Sequence, residues 1–332
     1  MTDEHGPVWV IAEQAGSEIQ PVSLQLIGHA QRLADELAVS VEVILIGNQI
    51  EGLVPRLFAA GADRVYLGNA PEVAVYQPER YTEMIVRLAL DKRPAILLVG
   101  FTSMGRELAP LIAARLEAGL TAHCIDLVLN EDKILVAKVP AYGGLLSIVC
   151  RENRPQMATV ARGVFPMPKL DGNRTGEVIT LDVPHDVSCR VETVEIVQEE
   201  ADRIQLETAP IVVAGGAGAG DSDGWGEIAS LAQTLNAALG STRPAVDEGW
   251  IPLETMIGQS GKMVSPDLYI GVGLSGELQH MVGIVGARIM VAINNDPNAP
   301  VFEQVDYGIV DDCREFVPVL IKKLKEYRAK SH

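Results

Sequence analysis

Basic residues are scarce in this sequence: 27 Lys and Arg stand against 44 Asp and Glu, a formal net charge of -17. Such a field repels phosphate backbones, so nucleic acid is not an expected partner. Aromatics make up 5% of the 332 residues, too few to line a stacking groove. Cysteine is rarer still: Cys124, Cys150, Cys189 and Cys313 show no C-x-x-C spacing, and His123 is the one histidine beside any of them. Disulfide frameworks, iron–sulfur clusters and structural zinc sites all need paired or clustered thiolates. The four are therefore expected to be buried or incidental thiols, and no metal ligand is assigned. No apolar run reaches the roughly 18 residues of a membrane span, and residues 1–7 lack the basic start and apolar stretch of a signal peptide. A soluble protein of the cytoplasm, a bacterial or archaeal cytosol, is expected.

What is present suits a two-domain α/β chain. Hydrophobic residues at 48%, charged residues at 21% and 31 glycines supply core material and tight strand-to-helix turns. Through the first half, β-branched runs alternate with helical periodicity. Strands are expected at Val8–Ala12, Val41–Ile46, Arg64–Leu67 and Ala95–Val99, with helices over Pro21–Ala38, Leu53–Ala60, Pro78–Leu90 and from Thr102 to about Leu116. Repeated βα units imply a mainly parallel sheet with helices on both faces. From 120 to 165 the pattern changes. Ile125–Leu129, Ile134–Val139, Leu145–Cys150 and Gln156–Val160 read as strands separated by turns such as Tyr142-Gly143-Gly144, hence antiparallel hairpins added to the parallel sheet. The Pro/Gly-rich residues 166–176 are expected to end the compact part of this domain. A second α/β start lies at Ile211–Ala214, so the expected division is an N-terminal domain over 1–190, a linker over 191–206 and a C-terminal domain over 207–332.

Ile211–Ala214 runs into Gly215-Gly216-Ala217-Gly218-Ala219-Gly220, followed by a helix expected over Gly226–Leu239. A strand–glycine–helix unit can cradle a phosphate on backbone N–H groups. Asp221 stands where the strict fingerprint needs glycine, so a plain tight turn is the competing explanation. Four further polar, glycine-marked segments begin at Gly240, Ile257, Ser275 and Ile293, each after or beside an apolar run that includes Leu268–Val272 and Ile289–Ile293. Parallel strand ends converge on one edge of a sheet, so four such loops make one cleft. Taken singly, Arg243 is explained as a helix-end cation, Ser260 as a turn residue and His280 as a structural histidine.

Taken together, Thr-Arg-Pro-x-Val-Asp-x-Gly-Trp at 242–250, Gly-Gln-Ser-Gly-Lys at 258–262, Leu-Tyr-Ile at 268–270, Ser-Gly-x-x-Gln-His at 275–280, Ala-Ile-Asn at 292–294, Asp-Pro-x-Ala-Pro at 296–300 and Asp-Tyr-Gly-Ile-Val at 306–310 resemble the FAD domain of the electron transfer flavoprotein alpha subunit. The first domain is similar more weakly, through Gly105-Arg106-Glu107-Leu108-Ala109-Pro110, Gly119-Leu120-Thr121-Ala122, Pro140–Gly144 and Arg154–Val160.

The resemblance implies a Rossmann-like C-terminal domain holding one FAD, and a beta subunit that completes a heterodimer by packing on the N-terminal domain. It implies that Ser260 reaches flavin N5, that Arg243 lies over the ring and that His280 faces its pyrimidine end as a positive or donating group. The loops Ile257-Gly258-Gln259-Ser260 and Ser275-Gly276-Glu277-Leu278-Gln279-His280, with Gly216 and Thr242, surround the cofactor, and Asn294, Asp312 and Cys313 match positions beside ribose and adenine. Family members carry arginine where this chain has Ala217. No catalytic acid or base is implied: the chain is expected to carry electrons from a dehydrogenase, of the acyl-CoA type used in fatty acid beta-oxidation, to a quinone reductase or another redox partner. An electron-bifurcating role with NADH and a second FAD in the beta subunit is the alternative. Outside redox chemistry, the rivals are a nucleotide-binding module, which lacks its G-x-G-x-x-G here, and a flavin-free structural subunit.

Overall fold

The computed structural model describes residues 6–16, 18–141, 144–191, 193–195, 204–284 and 286–330. The chain divides into two compact units, Met1–Val197 and Gln198–His332. In the first, the apolar runs become β1 (Val8–Ala12), β2 (Val41–Gly47), β3 (Arg64–Asn69) and β4 (Ile96–Gly100), alternating with α1 (Pro21–Leu37), α2 (Val54–Ala60), α3 (Pro78–Lys92) and α4 (Ser103–Arg115). Proline opens α1 and α3, and residues in the left-handed region, Ala38 (φ 56°) and Arg93 (φ 49°), close them. Thr102 Oγ1 caps α4 by accepting from Gly105 N–H at 2.9 Å.

Residues alternate across β1. Val8 and Val10 face a core shared with α1 and α2, whereas Trp9 and Ile11 face one shared with α3 and α4. Helices therefore cover both faces of the sheet, as the βα alternation implied.

The region from 120 onward corrects the hairpin expectation. β5 (Leu120–Cys124), which the sequence reading missed, precedes a separate antiparallel sheet of β6 (Asp126–Leu129), β7 (Leu135–Ala141) and β8 (Gly144–Val149). Tyr142 and Gly143 of the expected turn lie outside the described residues. Gln156–Val160, here β9, is no hairpin strand: it inserts parallel between β4 and β5. Its five residues are all buried, which only an interior position of the main sheet can satisfy. Residues 166–176 do not end the unit either, because β10 (Glu177–Thr180) returns to pair in parallel with β3. The sheet order is β10-β3-β2-β1-β4-β9-β5.

In the second unit, β11 (Ile211–Gly215), β12 (Ala238–Ser241), β13 (Leu268–Val272), β14 (Ile289–Asn294) and β15 (Tyr307–Val310) form an all-parallel sheet of order β12-β11-β13-β14-β15. The expected helix over 226–239 is displaced. α5 spans Ser222–Leu235, Asn236 ends it at φ 54°, and Leu239 belongs to β12. One face of this sheet packs on α5 and on the C-terminal helix Cys313–Lys330, through Ile228, Leu231, Val317 and Ile321. The other is covered by loop side chains, among them Ile257, Val264, Leu274 and Val301.

In the first unit Glu13 and Glu42 are buried against polar partners. Glu42 accepts from Trp9 Nε1 at 2.9 Å and Tyr66 Oη at 3.0 Å, and pairs with Arg64. Glu13, at the strand edge where β1 and β4 diverge, has Thr102 Oγ1 2.7 and 2.8 Å from its two oxygens and borders a cavity of about 280 Å³. Burial outweighs that hydrogen bond and the nearby Arg162 charge and raises the Glu13 pKa from 4.5 to about 7. Between those values the folded chain binds the extra proton, so this site's contribution falls as pH rises through that window. At roughly 1.4 kcal/mol per pKa unit, Glu13→Gln is expected to raise unfolding free energy by at most about 3 kcal/mol at pH 8 and to change little near pH 4.5. Urea unfolding at the two pH values checks it.

Candidate functional site

The strand order of the second sheet reverses at β11 and β13, and the ends of those strands with the loops after β12 and β14 enclose a cavity of about 570 Å³. Such a switch point at the carboxyl edge is where open α/β sheets take ligands. Of the residues singled out from the sequence, Thr242, Arg243, Ile257, Gly258, Gln259, Ser260, Ser275, Gly276, Glu277, Gln279, His280 and Asn294 line the cavity. Gly216, Leu278, Asp312 and Cys313 do not.

Each of those four has a physical reason. The Gly216 N–H donates to Val272 O at 2.9 Å and the Gly218 N–H to Gly273 O at 2.8 Å, so these two donors are engaged by the end of β13. A Cβ on Gly216 would stand 2.4 Å from Gly273 O, and one on Gly218 2.7 Å from Gly273 Cα. These glycines let two strand-end loops touch. Leu278 points to solvent. Cys313 Sγ donates to Gly218 O at 3.4 Å from behind that loop, and the Asp312 carboxylate takes the Arg314 N–H at 2.9 Å. Asp221 caps α5 by accepting from Gly224 N–H at 2.9 Å and pairs with Arg314 at 2.9 Å. That bond and the arginine hold its pKa below the usual range.

Across the cavity's loops, side chains act as fasteners. Asn294 Nδ2 donates to Leu274 O at 2.8 Å while its Oδ1 accepts from Asp296 N–H at 2.9 Å. The Gln259 N–H reaches Gln279 O at 2.7 Å, joining the 257–260 and 275–280 loops. The N–H groups of Ser275, Gly276 and Glu277 meet no acceptor among the described residues. A run of such free amides beside a cavity favours an anion or carbonyl group. Arg243, 71% exposed in its side chain, keeps only a 3.4 Å contact with Asp247. It opens the short helix α6 (Arg243–Asp247), the end where a helix dipole disfavours a cation, so the helix-end explanation fails for it.

His280 departs from expectation. Its ring is buried, with Nδ1 2.9 Å from Ile257 O and Nε2 2.6 Å from Tyr269 Oη. Burial pulls its pKa down to about 4, so the ring is neutral at pH 7, and its one N–H is engaged by Ile257 O, where the resemblance implied a positive or donating group. Met256, Leu274, Ala299 and Pro300, the apolar wall of the cavity, were not assigned to the site from the sequence, although the last two belong to the Asp-Pro-x-Ala-Pro motif. Nothing in their chemistry flags them; only their places beside strand ends do. Among the described residues, no group of three or more His, Cys, Asp or Glu can hold a metal ion, and no helix is long and apolar enough to cross a membrane.

Comparison with known proteins gives a consistent match. Residues 8–186 match the electron transfer flavoprotein domain family and residues 205–285 the electron transfer flavoprotein FAD-binding domain family. The chain is 40% identical to the electron transfer flavoprotein subunit alpha of Thermoanaerobacterium thermosaccharolyticum, over 98% of this chain and 100% of that one. It is 40% identical to the protein FixB of Clostridium saccharobutylicum, over 96% of each. With the electron transfer flavoprotein subunit alpha of Megasphaera elsdenii it shares 37% identity over 98% of each.

Gly276 sits at φ 84°, and a Cβ there would stand 2.4 Å from the Val301 backbone. Gly276→Ala is expected to cost about 1–3 kcal/mol for the left-handed backbone alone, with the clash in addition. Gly226→Ala, inside α5 where a Cβ meets open space, is expected to be neutral or stabilising by about 0.5–1 kcal/mol. Urea unfolding of both, followed by tryptophan emission, gives the comparison.

Proposed function

The chain belongs to the electron transfer flavoprotein family, in its alpha-subunit branch, and from that premise we propose that its second unit holds one FAD in the switch-point cavity. In this reading the protein passes electrons from an acyl-CoA-type dehydrogenase to a quinone reductase or another redox partner, working as a heterodimer with a beta subunit. The observation that carries the reading is the convergence of free amides at 275–277, an unpaired-in-all-but-one-contact Arg243 and an apolar wall of Met256, Leu274 and Pro300 on one cavity of ligand size.

The residues present fit such a group. FAD joins a flat apolar ring to a diphosphate, and the cavity joins an apolar wall to backbone donors. When bound, the flavin supplies reversible electron uptake. What this chain contributes is electrostatic: Arg243 stays charged at any working pH and favours a ring that gains negative charge. Ser260, exposed on the 257–261 turn, offers a hydroxyl toward the same space. Ala217 also lines the cavity without charge, which leaves Arg243 as the lining cation.

Co-expression with the beta subunit tests the reading. The purified heterodimer is expected to be yellow, and the released cofactor to have the mass of FAD; a colourless heterodimer would sink the proposal. A charged hydrogen bond contributes about 1.5–3 kcal/mol, and exposure of Arg243 reduces its share. At roughly 59 mV per 1.4 kcal/mol for one electron, Arg243→Ala is expected to lower the flavin midpoint potential by some tens of millivolts, read by spectroelectrochemistry.

Support for partnership comes from the first unit. β8 is the edge of its small sheet and exposes Leu145 (61%), Leu146 (44%) and Ile148 (37%). An apolar, unpaired edge is a template for another chain, and this edge is the seat we assign to the beta subunit. Leu145→Lys with Leu146→Lys is expected to abolish co-purification of the beta subunit while changing the chain's own unfolding by no more than about 0.5 kcal/mol per site. Retained co-purification would place the interface elsewhere.

A further inference from the structure

Tyr269 lies one side chain behind the cavity, fully buried in β13 between β11 and β14. Its hydroxyl oxygen is 2.6 Å from His280 Nε2, and His280 Nδ1 is 2.9 Å from Ile257 O. A carbonyl oxygen only accepts, so Nδ1 carries the ring proton. The neutral ring then presents Nε2 as an acceptor, and the Tyr269 O–H donates to it. Burial keeps the phenol protonated by pushing its pKa up. The charged groups on the elements around the ring are few. Lys262, on the turn after Ser260, is held by Glu207 at 3.2 Å, while Glu277 and Arg243 line the cavity. None of them enters among the causes that set the state of His280, which are burial and the Ile257 bond.

On the flavin reading above, we propose that Tyr269 is a positioning residue of the cofactor site. By donating to Nε2 it fixes the orientation of the His280 ring at the cavity, and the Tyr269–His280–Ile257 chain ties the 257–260 loop to the turn at 277–281. The backbone alone sets how near these loops lie: Gly258, at φ 145°, has no room for a Cβ, which would stand 2.5 Å from Gln279 O. It does not orient the imidazole. Tyr269 does, from the sheet, and so holds the ring in one place at the cavity wall while burial keeps it neutral.

The test uses the heterodimer with its beta subunit, with and without FAD, labelled with ¹⁵N-histidine. The chain has six histidines, and His280→Gln identifies the resonance. In the wild type the ring is expected to show the neutral Nδ1–H tautomer without change from pH 5.5 to 8. Tyr269→Phe keeps the ring volume and deletes one hydrogen bond. It is expected to move the Nε2 resonance to that of a free acceptor nitrogen, leave Nδ1 protonated, and speed FAD dissociation several-fold to about tenfold. Adding His280→Gln to Tyr269→Phe should change FAD dissociation little further, because both act through one chain. A wild-type His280 that titrates near pH 6.5 overturns the proposal whether or not the variant folds. So does a Tyr269→Phe protein whose resonance moves while FAD dissociation stays as in the wild type, which would make the bond merely structural. A wild-type heterodimer that binds no flavin overturns the flavin reading and the cofactor role with it, while the ring measurements still report the hydrogen-bond chain on the protein alone.

Discussion

The cavity of the second unit depends on how closely two strand-end loops can approach. Gly216 and Gly218 after β11 lie against Gly273 after β13, with N–H groups and carbonyls paired directly across the gap. A single Cβ at either contact would stand under 3 Å from backbone atoms, which cannot move like the tip of a side chain. The segment after that contact, 274–277, and residues 242–243 after β12 line the cavity beside it. The glycine-rich run thus shapes the site by this close approach, and Ala217 and Gly218 line it. Free donors stand beside the cavity on the next loop, at 275–277.

The site's charge is equally a matter of what is spent elsewhere. Asp221, unwelcome beside an anionic ligand, is used as the cap of α5 and paired with Arg314. Its charge is compensated and its oxygens are engaged. His280 is neutralised by burial, which outweighs the opposing pull of the Ile257 carbonyl, and both its ring nitrogens are engaged. With alanine at 217, the positive charge lining the cavity comes to rest on Arg243. In the first unit the same rule governs Glu42, which stays buried because a tryptophan, a tyrosine and an arginine all converge on it. Glu13, with one hydroxyl donor, is instead held by burial near neutrality.

Periodicity located most elements because it reports which face of a segment meets a core. Val8–Ala12, Pro21–Leu37 and Leu268–Val272 stand where their apolar spacing put them. It failed where partner choice mattered. Gln156–Val160 follows a turn as a hairpin strand would, yet its five buried residues pair in parallel with β4 and β5. Leu239 continues the apolar stripe of α5, but the left-handed Asn236 had already ended the helix. Neither a distant pairing partner nor a backbone angle is written in local spacing.

Sequence alone determined the α/β class, the family resemblance and the set of loops that meet, because motifs of several residues in a fixed order are specific even when each residue is not. Tertiary structure decided what those residues do. It placed Asp312 and Cys313 behind the glycine loop. It also showed Arg243 at the wrong end of a helix to serve as its counter-charge, and joined Ile257, Tyr269 and His280 through one imidazole. A histidine's charge follows from its burial and from the acceptors around it. Those are set by a loop, a strand and a turn that follow one another in the chain and meet at one ring only when the sheet folds.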